Sequence, residues 1–264
     1  MIRFFIHKGD PMNVIKLLLA SLFLLSTLSH ANTVTIRADE WYPINGVPGT
    51  KNPGYMIELA QVILAKHGHT VEYRSMPWER SLTEVRRGSF DCVFGAYKED
   101  APDFIFPDAP WGSIESTFYI KNETDWKYTG MDSVKKIVIG AIGGYAYNEE
   151  FDEYIKQNKG KGKVQVINAN NALEQNIKKL LKGRIDVVIE SHLVMEAKLK
   201  SMNATDKVKS AGVLAEADNM YIACSPAKST SKEYVKLFSE GVKELRASGK
   251  LKEILNKYGL KDWQ

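Results

Sequence analysis

The fold is decided by residues 77–97, which read PWERSLTEVRRG followed by SFDCVFGAY. Trp78 and Leu82 recur at helical spacing, and Gly88 after two arginines is typical of a helix end. The run 90–94, apolar apart from Asp91, then predicts a strand that is covered on both faces. Such strands usually belong to parallel sheets with helices packed on either side.

A candidate pocket follows from where this strand ends. In open α/β sheets, ligands bind beyond the carboxyl ends of the strands. We therefore expect a pocket around Gly95 and Tyr97. Trp78 and Arg80 begin the preceding helix, and we expect them at the same edge of the sheet.

The first part of the chain has a doubly wound pattern. Alternating apolar residues predict a strand over 33–38, helical periodicity predicts a helix over 55–67, and a second strand is expected over 71–75. Together with residues 77–97 this gives the order strand, helix, strand, helix, strand. That order is typical of an α/β domain.

The chain repeats this pattern once, which predicts two lobes. Gly183-Arg-Ile-Asp-Val-Val-Ile has the same form as Gly88-Ser-Phe-Asp-Cys-Val-Phe. Two amphipathic helices at the end of the chain need an apolar surface, and we expect them to cover the first lobe. We therefore predict an α/β fold with lobe 1 over 32–121 plus 219–264, lobe 2 over 122–218, two hinge crossings and a cleft between the lobes.

The N-terminus resembles a secretory signal. Residues 14–28 are apolar but shorter than a membrane span, and Ser29-His-Ala31 suits a cleavage site. Acidic and proline residues before Met12 are atypical of a signal, which favours Met12 as the true start. Because no cysteine follows the apolar run, we expect a soluble periplasmic protein and not a lipoprotein.

Charge and cysteine content narrow the function classes. The formal net charge is +4, and without residues 1–31 it is 33 basic against 31 acidic groups, or +2. This balance gives no footprint for nucleic acid. For Cys92 and Cys224 we favour buried free thiols over a disulfide, because the sequence does not show whether their strands are neighbours.

Several motifs in order resemble the periplasmic solute-binding proteins of family 3, the polar amino acid receptors of ABC importers. They are GYMIELA over 54–60, the two Gly-x-x-Asp strands, FPDAPW over 106–111 and LRASGKL over 245–251. Pro77-Trp-Glu-Arg80 matches a branch with a Pro-Trp-x-Arg signature. The resemblance implies a type II periplasmic binding fold that holds a solute between its lobes.

The resemblance also implies which charges hold the ligand. Family members place an arginine on the α-carboxylate, but this chain has none over 97–103. Arg80 is our candidate replacement and Lys98 the second, because a guanidinium grips a carboxylate with two parallel bonds. Glu190 is the nearest carboxylate to the family's ammonium-binding position, although Ser191 is the alternative there and a solvent-facing role for Glu190 stays open.

Six aromatic residues fall at predicted strand ends or helix starts, which predicts an aromatic-walled cleft. They are Trp41, Tyr42, Trp78, Tyr97, Trp111 and Tyr145. Glu40 precedes the first of them and is also expected at the site.

We expect a monomeric receptor, without cofactor or metal, that captures a small polar solute, foremost an amino acid, and docks on an inner-membrane ABC permease. One alternative is an exported enzyme on the same scaffold, such as a cyclic-acid dehydratase that recruits Glu40 and Glu190. A ligand-sensing partner of a membrane receptor is another.

Overall fold

The computed structural model describes residues 31–264, so the predicted signal over 1–31 lies outside the described residues apart from Ala31. The strands are β1 Thr33–Ala38, β2 Thr70–Ser75, β3 Cys92–Ala96, β4 Gly112–Lys121, β5 Ile139–Ile142, β6 Val164–Ile167, β7 Val187–Glu190 and β8 Val208–Cys224. The helices are α1 Tyr55–Ala65, α2 Trp78–Arg86, α3 Met131–Val134, α4 Glu149–Asn158, α5 Ala172–Leu181, α6 His192–Ser201, α7 Ser231–Ala247 and α8 Lys250–Lys257.

The strands form one curled sheet in the order β2-β1-β3-β8-β4-β7-β5-β6. β1, β2 and β3 run parallel at one end, and β5, β6 and β7 run parallel at the other. β4 and β8 pair antiparallel in the middle and connect the two parallel groups. This is the two-lobed α/β architecture that the sequence predicts, with β4 and β8 as the connections between the lobes.

The stretch that decides the fold is built as expected. α2 begins directly after Pro77, buries Trp78, Leu82 and Val85, and is followed by Gly88 at φ +81°. Only glycine adopts this backbone conformation at no steric cost. β3 is buried at every position and pairs with β1 and β8. It begins two residues later than the apolar run and extends to Ala96.

The two Gly-x-x-Asp phrases have the same structural role in the two lobes. Asp91 accepts a hydrogen bond from the Thr35 backbone N–H at 2.8 Å, and its own N–H donates to the Thr35 carbonyl. Asp186 is bonded in the same reciprocal way to Val138, whose N–H donates to its carboxylate at 2.7 Å. Each aspartate therefore ties the start of its strand to the neighbouring strand.

The prediction of free thiols is wrong. Cys92 and Cys224 face each other across the antiparallel pair of β3 and β8, and they form a disulfide. Both residues are fully buried. The sequence could not reveal the pair because the two cysteines are 132 residues apart, and only the return of β8 to the first lobe makes them neighbours.

The last two helices pack on the first lobe. Gly241 of α7 lies against Ile63 of α1 so closely that a Cβ there would be 2.5 Å from the Ile63 side chain. Tyr258, which caps α8, donates to Glu58 of α1 at 2.5 Å. These contacts place the C-terminal helices against α1 of the first lobe. No helix over residues 31–264 is both long and apolar enough to cross a membrane.

Candidate functional site

A small buried cavity lies where loops of both lobes meet. The loops that follow β1 and β3 come from one lobe, and the loop that follows β5 comes from the other. The cavity measures about 20 Å³, which is room for a water molecule and little more. Its lining residues are Asp39, Trp41, Asn45, Trp78, Phe94, Gly95, Tyr97, Asp100, Tyr145 and Ala146.

Asp39 directly follows β1 and is 4% exposed. The Tyr145 hydroxyl, from the loop after β5, donates to its Oδ2 at 2.9 Å. Burial raises the pKa of Asp39 to about 7, the Tyr145 hydrogen bond lowers it in part, and the neighbouring Glu40 adds to the increase. A carboxyl group of the first lobe is thus held by a phenol of the second.

Glu190, the last residue of β7, is a carboxyl group of the second lobe that is bonded to a side chain of the first. Its Oε1 accepts from the Trp41 indole N–H at 2.7 Å and from the Ser191 backbone N–H at 2.7 Å. Its Oε2 is buried and has no hydrogen-bond partner. Burial raises the pKa of Glu190 to about 7, and Asp39 adds to the increase.

Asp100 is the third carboxyl group at the cleft. It accepts hydrogen bonds from backbone N–H groups of both lobes, from Tyr97 at 2.8 Å and from Ala146 at 2.9 Å. Burial raises the pKa of Asp100 to about 7 because these bonds and the nearby Trp78 indole offset only part of the desolvation. Asp152 in α4 lies on the same side, and burial raises its pKa to about 6.

A further ion pair crosses the cleft at its edge. Lys198 of α6 donates to Glu40 at 2.5 Å, and the Glu40 backbone N–H donates to the Asn170 carbonyl at 3.0 Å. Lys198 is 8% exposed, so this pair is largely shielded from water. The two lobes are therefore in contact, and the structure shows a closed cleft.

Backbone also meets backbone across the cleft. Gly144, in the loop after β5, has φ +83° and lies against the start of α2. A Cβ at this position would be 3.1 Å from the Glu79 Cα. This close approach is part of the closed arrangement.

The closed, ligand-free form that the structure shows is expected to lose stability as the pH rises from about 4 to about 7. Asp39, Asp100 and Glu190 have pKa values raised to about 7, whereas unperturbed carboxyl groups titrate near about 4. The closed form keeps protons that the unfolded chain has released. The stabilisation is therefore complete below about pH 4 and is lost as the pH rises through about 7.

Melting temperatures between these pH values check this expectation. The groups that face the three carboxyls are the Tyr145 hydroxyl, the Trp41 and Trp78 indoles, the Glu40–Lys198 pair and Asp152. The double variant Asp39→Asn/Glu190→Gln should show a shallower fall. Equal slopes for the variant and the native chain would contradict the assignment.

The structure brings together most of the site residues that the sequence predicts. Trp41, Trp78, Tyr97 and Tyr145 wall the cavity, with Tyr145 edge-on to Trp41 and Trp78 at centroid distances of 6.2 and 6.4 Å. Glu190 accepts a hydrogen bond from one of these side chains, the Trp41 indole.

Four predicted residues lie elsewhere. Trp111 is fully buried in the core against Phe238, and Tyr42 packs on Tyr258. Arg80 is exposed on α2, and Lys98 is exposed with its Nζ 5.4 Å from the Tyr221 ring.

Sequence reasoning missed Asp39, Asn45, Asp100 and Lys198 as site residues. A signal existed for Asp39, which directly follows a predicted strand at the carboxyl edge. Lys198 carried none, because a lysine on a helix is usually solvated.

A larger groove adjoins the cavity and shares Tyr97 and Ala146 with it. Its volume is about 940 Å³. It is lined by Tyr97, Glu99, Ile114, Ser116, Ala146, Tyr147, Asn148, Glu149, Asp152, Glu153, Lys156, Ala215, Glu216 and Asp218. Within residues 31–264, no cluster of three His, Cys, Asp or Glu side chains is placed to hold a metal ion.

Comparison with known proteins supports the family that the sequence resembles. The model of bacterial extracellular solute-binding proteins, family 3, matches residues 140–261. No curated protein matches the chain.

Solved structures show the same fold at low identity. An ancestral arginine-binding protein bound to glutamine is 20% identical with a TM-score of 0.70, covering 86% of this chain and 97% of its own. An amino acid ABC transporter substrate-binding protein from Streptococcus pneumoniae, bound to L-arginine, is 19% identical with a TM-score of 0.67, covering 86% and 94%.

A histidine kinase sensor domain with similarity to periplasmic binding proteins is 17% identical with a TM-score of 0.70, covering 86% and 95%. At these identities the likeness concerns the fold. The family match and the fold together support a solute-binding protein.

Proposed function

We propose that this chain is a periplasmic receptor whose two lobes close on a small polar solute, an amino acid or a related amine, and deliver it to an ABC permease. One observation carries the proposal: hydrogen-bonding and aromatic side chains of both lobes meet in a buried cleft. Trp41 reaches Glu190 across the cleft, and Tyr145 reaches Asp39. Family 3 and the binding proteins with this fold support it.

Binding requires the lobes to separate first. The cavity of about 20 Å³ is too small for any amino acid, and Tyr145 occupies the space between Asp39 and the two tryptophans. β4 and β8 are the two connections between the lobes, so bending within them would open the cleft. We assign lobe 1 to residues 32–121 plus 219–264 and lobe 2 to residues 122–218.

In the proposed complex, the aromatic walls enclose the solute and Glu190 binds its positive group. Glu40 fixes the edge of the cleft through Lys198. Where the solute carries a carboxylate, Arg80 is the proposed partner of that group. It lies on the exposed face of α2, whose first turn contacts Gly144 across the cleft.

A thermal-shift screen of the mature chain, residues 32–264, tests the proposal. The panel contains the amino acids, small amines, and cyclic and dicarboxylic acids. At about 1,000 times the dissociation constant, a true ligand adds about 4 kcal/mol to the free energy of unfolding, which raises the melting temperature by several degrees. If no solute in the panel raised the melting temperature, the proposal that this chain is a receptor would be contradicted. If a carboxylated solute binds, Arg80→Ala should abolish its effect.

An exported enzyme is the second candidate. It is favoured by Asp39 and Glu190, whose pKa values near 7 suit a general acid. Conversion of a stabilising solute into product by the purified protein would establish this candidate. Recovery of the unchanged solute would exclude it for that solute.

A further inference from the structure

We infer that the solute is an organic cation, an amine or guanidine without a carboxylate. The inference rests on the proposed receptor function and narrows its ligand class. Four features of the cleft carry it: its charge, its unpartnered acceptors, its aromatic walls and the groove beside it.

The cleft gathers carboxyl groups without a balancing cation. Asp39 and Asp100 line the cavity, and Glu190 is bonded to its Trp41 wall. None of the ten described residues that line the cavity is Lys or Arg. Lys198 is the nearby lysine, and its ammonium is already paired with Glu40. A buried carboxylate needs a partner charge, and in this closed form the three groups are instead held by protons and hydrogen-bond donors.

Two buried oxygen atoms at the cleft have no donor. They are Glu190 Oε2 and Asn45 Oδ1, on side chains that are 3% and 1% exposed. Asn45 lines the cavity directly. Ammonium and guanidinium groups carry only donors, so they satisfy such atoms, whereas a carboxylate carries only acceptors. Asn45 Oδ1 of the first lobe is an acceptor without a donor, and Glu190 Oε2 of the second lobe becomes one when its carboxyl group ionises. Both therefore point to a donor-rich ligand.

The aromatic walls suit the same charge. Trp41, Trp78 and Tyr145 surround the cavity, with the Tyr145 ring 6.2 and 6.4 Å from the two indoles. Aromatic faces attract cations, and the attraction increases when the cation is removed from water. Anions gain nothing from these faces.

The adjoining groove extends the negative surface outward. Six of its lining residues are acidic and one, Lys156, is basic. Residues 32–264 carry a net charge of +2, so this acidity is local to the cleft. A groove lined by one sign of charge concentrates ligands of the opposite sign at its entrance. The groove joins the cavity at Tyr97 and Ala146, so a cation attracted there is led to the inner carboxyl groups.

An α-carboxylate would meet this cleft unfavourably. Its negative charge would lie among Asp39, Asp100 and Glu190 without a described Lys or Arg in the lining. Like charges in a buried site repel, and each pays a desolvation penalty. Removing the carboxylate from a basic amino acid should therefore improve its binding.

Calorimetric titration of residues 32–264 with two matched pairs tests this. The pairs are agmatine against arginine and cadaverine against lysine, because the members of each pair differ only by the carboxylate. We expect the decarboxylated member of at least one pair to bind at least about tenfold more tightly than its amino acid. Tighter binding of both amino acids, or of any neutral or anionic solute in the thermal-shift panel, would overturn the inference and leave the receptor intact. If no solute of any class binds, the proposed function fails as well.

Variants locate the charge that matters. Asp39→Asn and Glu190→Gln should each weaken binding of the cation about tenfold or more. Each substitution removes a carboxyl group that is costly to ionise in its buried position. The ligand-free melting temperature of each variant at pH 8 should therefore match or exceed the native value, and this measurement also checks that the variant folds. Asp103→Asn removes a half-exposed carboxylate paired with Arg86 outside the cleft and should leave affinity unchanged. Equal losses in all three variants would overturn the assignment.

Discussion

Alanine in place of Gly144 is expected to weaken solute binding by about 10- to 100-fold. In the closed form its Cβ would lie 3.1 Å from the Cα and Cβ of Glu79 on the opposite lobe. Overpacking of this kind costs about 1–3 kcal/mol, and each 1.4 kcal/mol is about a factor of ten in affinity. The free chain exchanges with an open form in which this contact is absent, whereas the bound chain is closed. The cost of the contact is therefore subtracted from the free energy of binding.

Gly160 provides the matched control. It also has a left-handed backbone, with φ +78°, but a Cβ at this position would have no atom within 4 Å. Gly160→Ala therefore carries a similar conformational penalty without a contact across the cleft, and affinity should stay at the native value. Calorimetric titration of both variants separates the two effects. Equal affinities would show that closure does not bring Gly144 against α2.

Removing the disulfide is expected to lower the free energy of unfolding by about 2–5 kcal/mol, because a cross-link over a long loop restricts the unfolded chain. The loop between Cys92 and Cys224 spans 132 residues. For a chain of this size the loss corresponds to a melting temperature lower by about 5–15 °C. The variant is Cys92→Ala/Cys224→Ala, measured by thermal unfolding without reductant.

Reduction of the native chain supplies the comparison. Both cysteines are fully buried, so the reductant must act on the unfolded chain before refolding. The reduced native protein should then have a melting temperature close to that of the double variant. Reductant should not change the melting temperature of the variant itself. A variant as stable as the oxidised native chain would show that the cross-link contributes little.

Local patterns in the sequence predicted the elements whose signals are local. Trp78, Leu82 and Gly88 define α2, and the Gly-x-x-Asp phrases locate β3 and β7. The first half of β8, over 208–218, was missed because most of its residues are exposed, and polar residues and glycine interrupt its apolar ones. Its pairing with β4 stabilises it instead.

The site was predictable only as far as strand ends reveal it. Trp41, Tyr97 and Glu190 follow or end strands and lie at the cleft. Trp111 lies next to a strand as well, directly before β4, yet it packs into the core against Phe238. A position beside a strand end does not determine which way a side chain points. The carboxyl cluster depends on how the lobes close, and no local pattern encodes that.

Small-angle X-ray scattering of residues 32–264, with and without a saturating solute from the thermal-shift screen, tests most directly whether this chain is a receptor that closes on its ligand. The empty closed cleft has a cavity of only about 20 Å³, so a solute must enter an open form before the lobes close around it. We expect the free chain, which exchanges between an open form and the closed form, to have a larger radius of gyration than the closed structure. The bound chain should approach the closed value. A saturated protein whose scattering is identical to that of the free chain would contradict closure as the basis of binding.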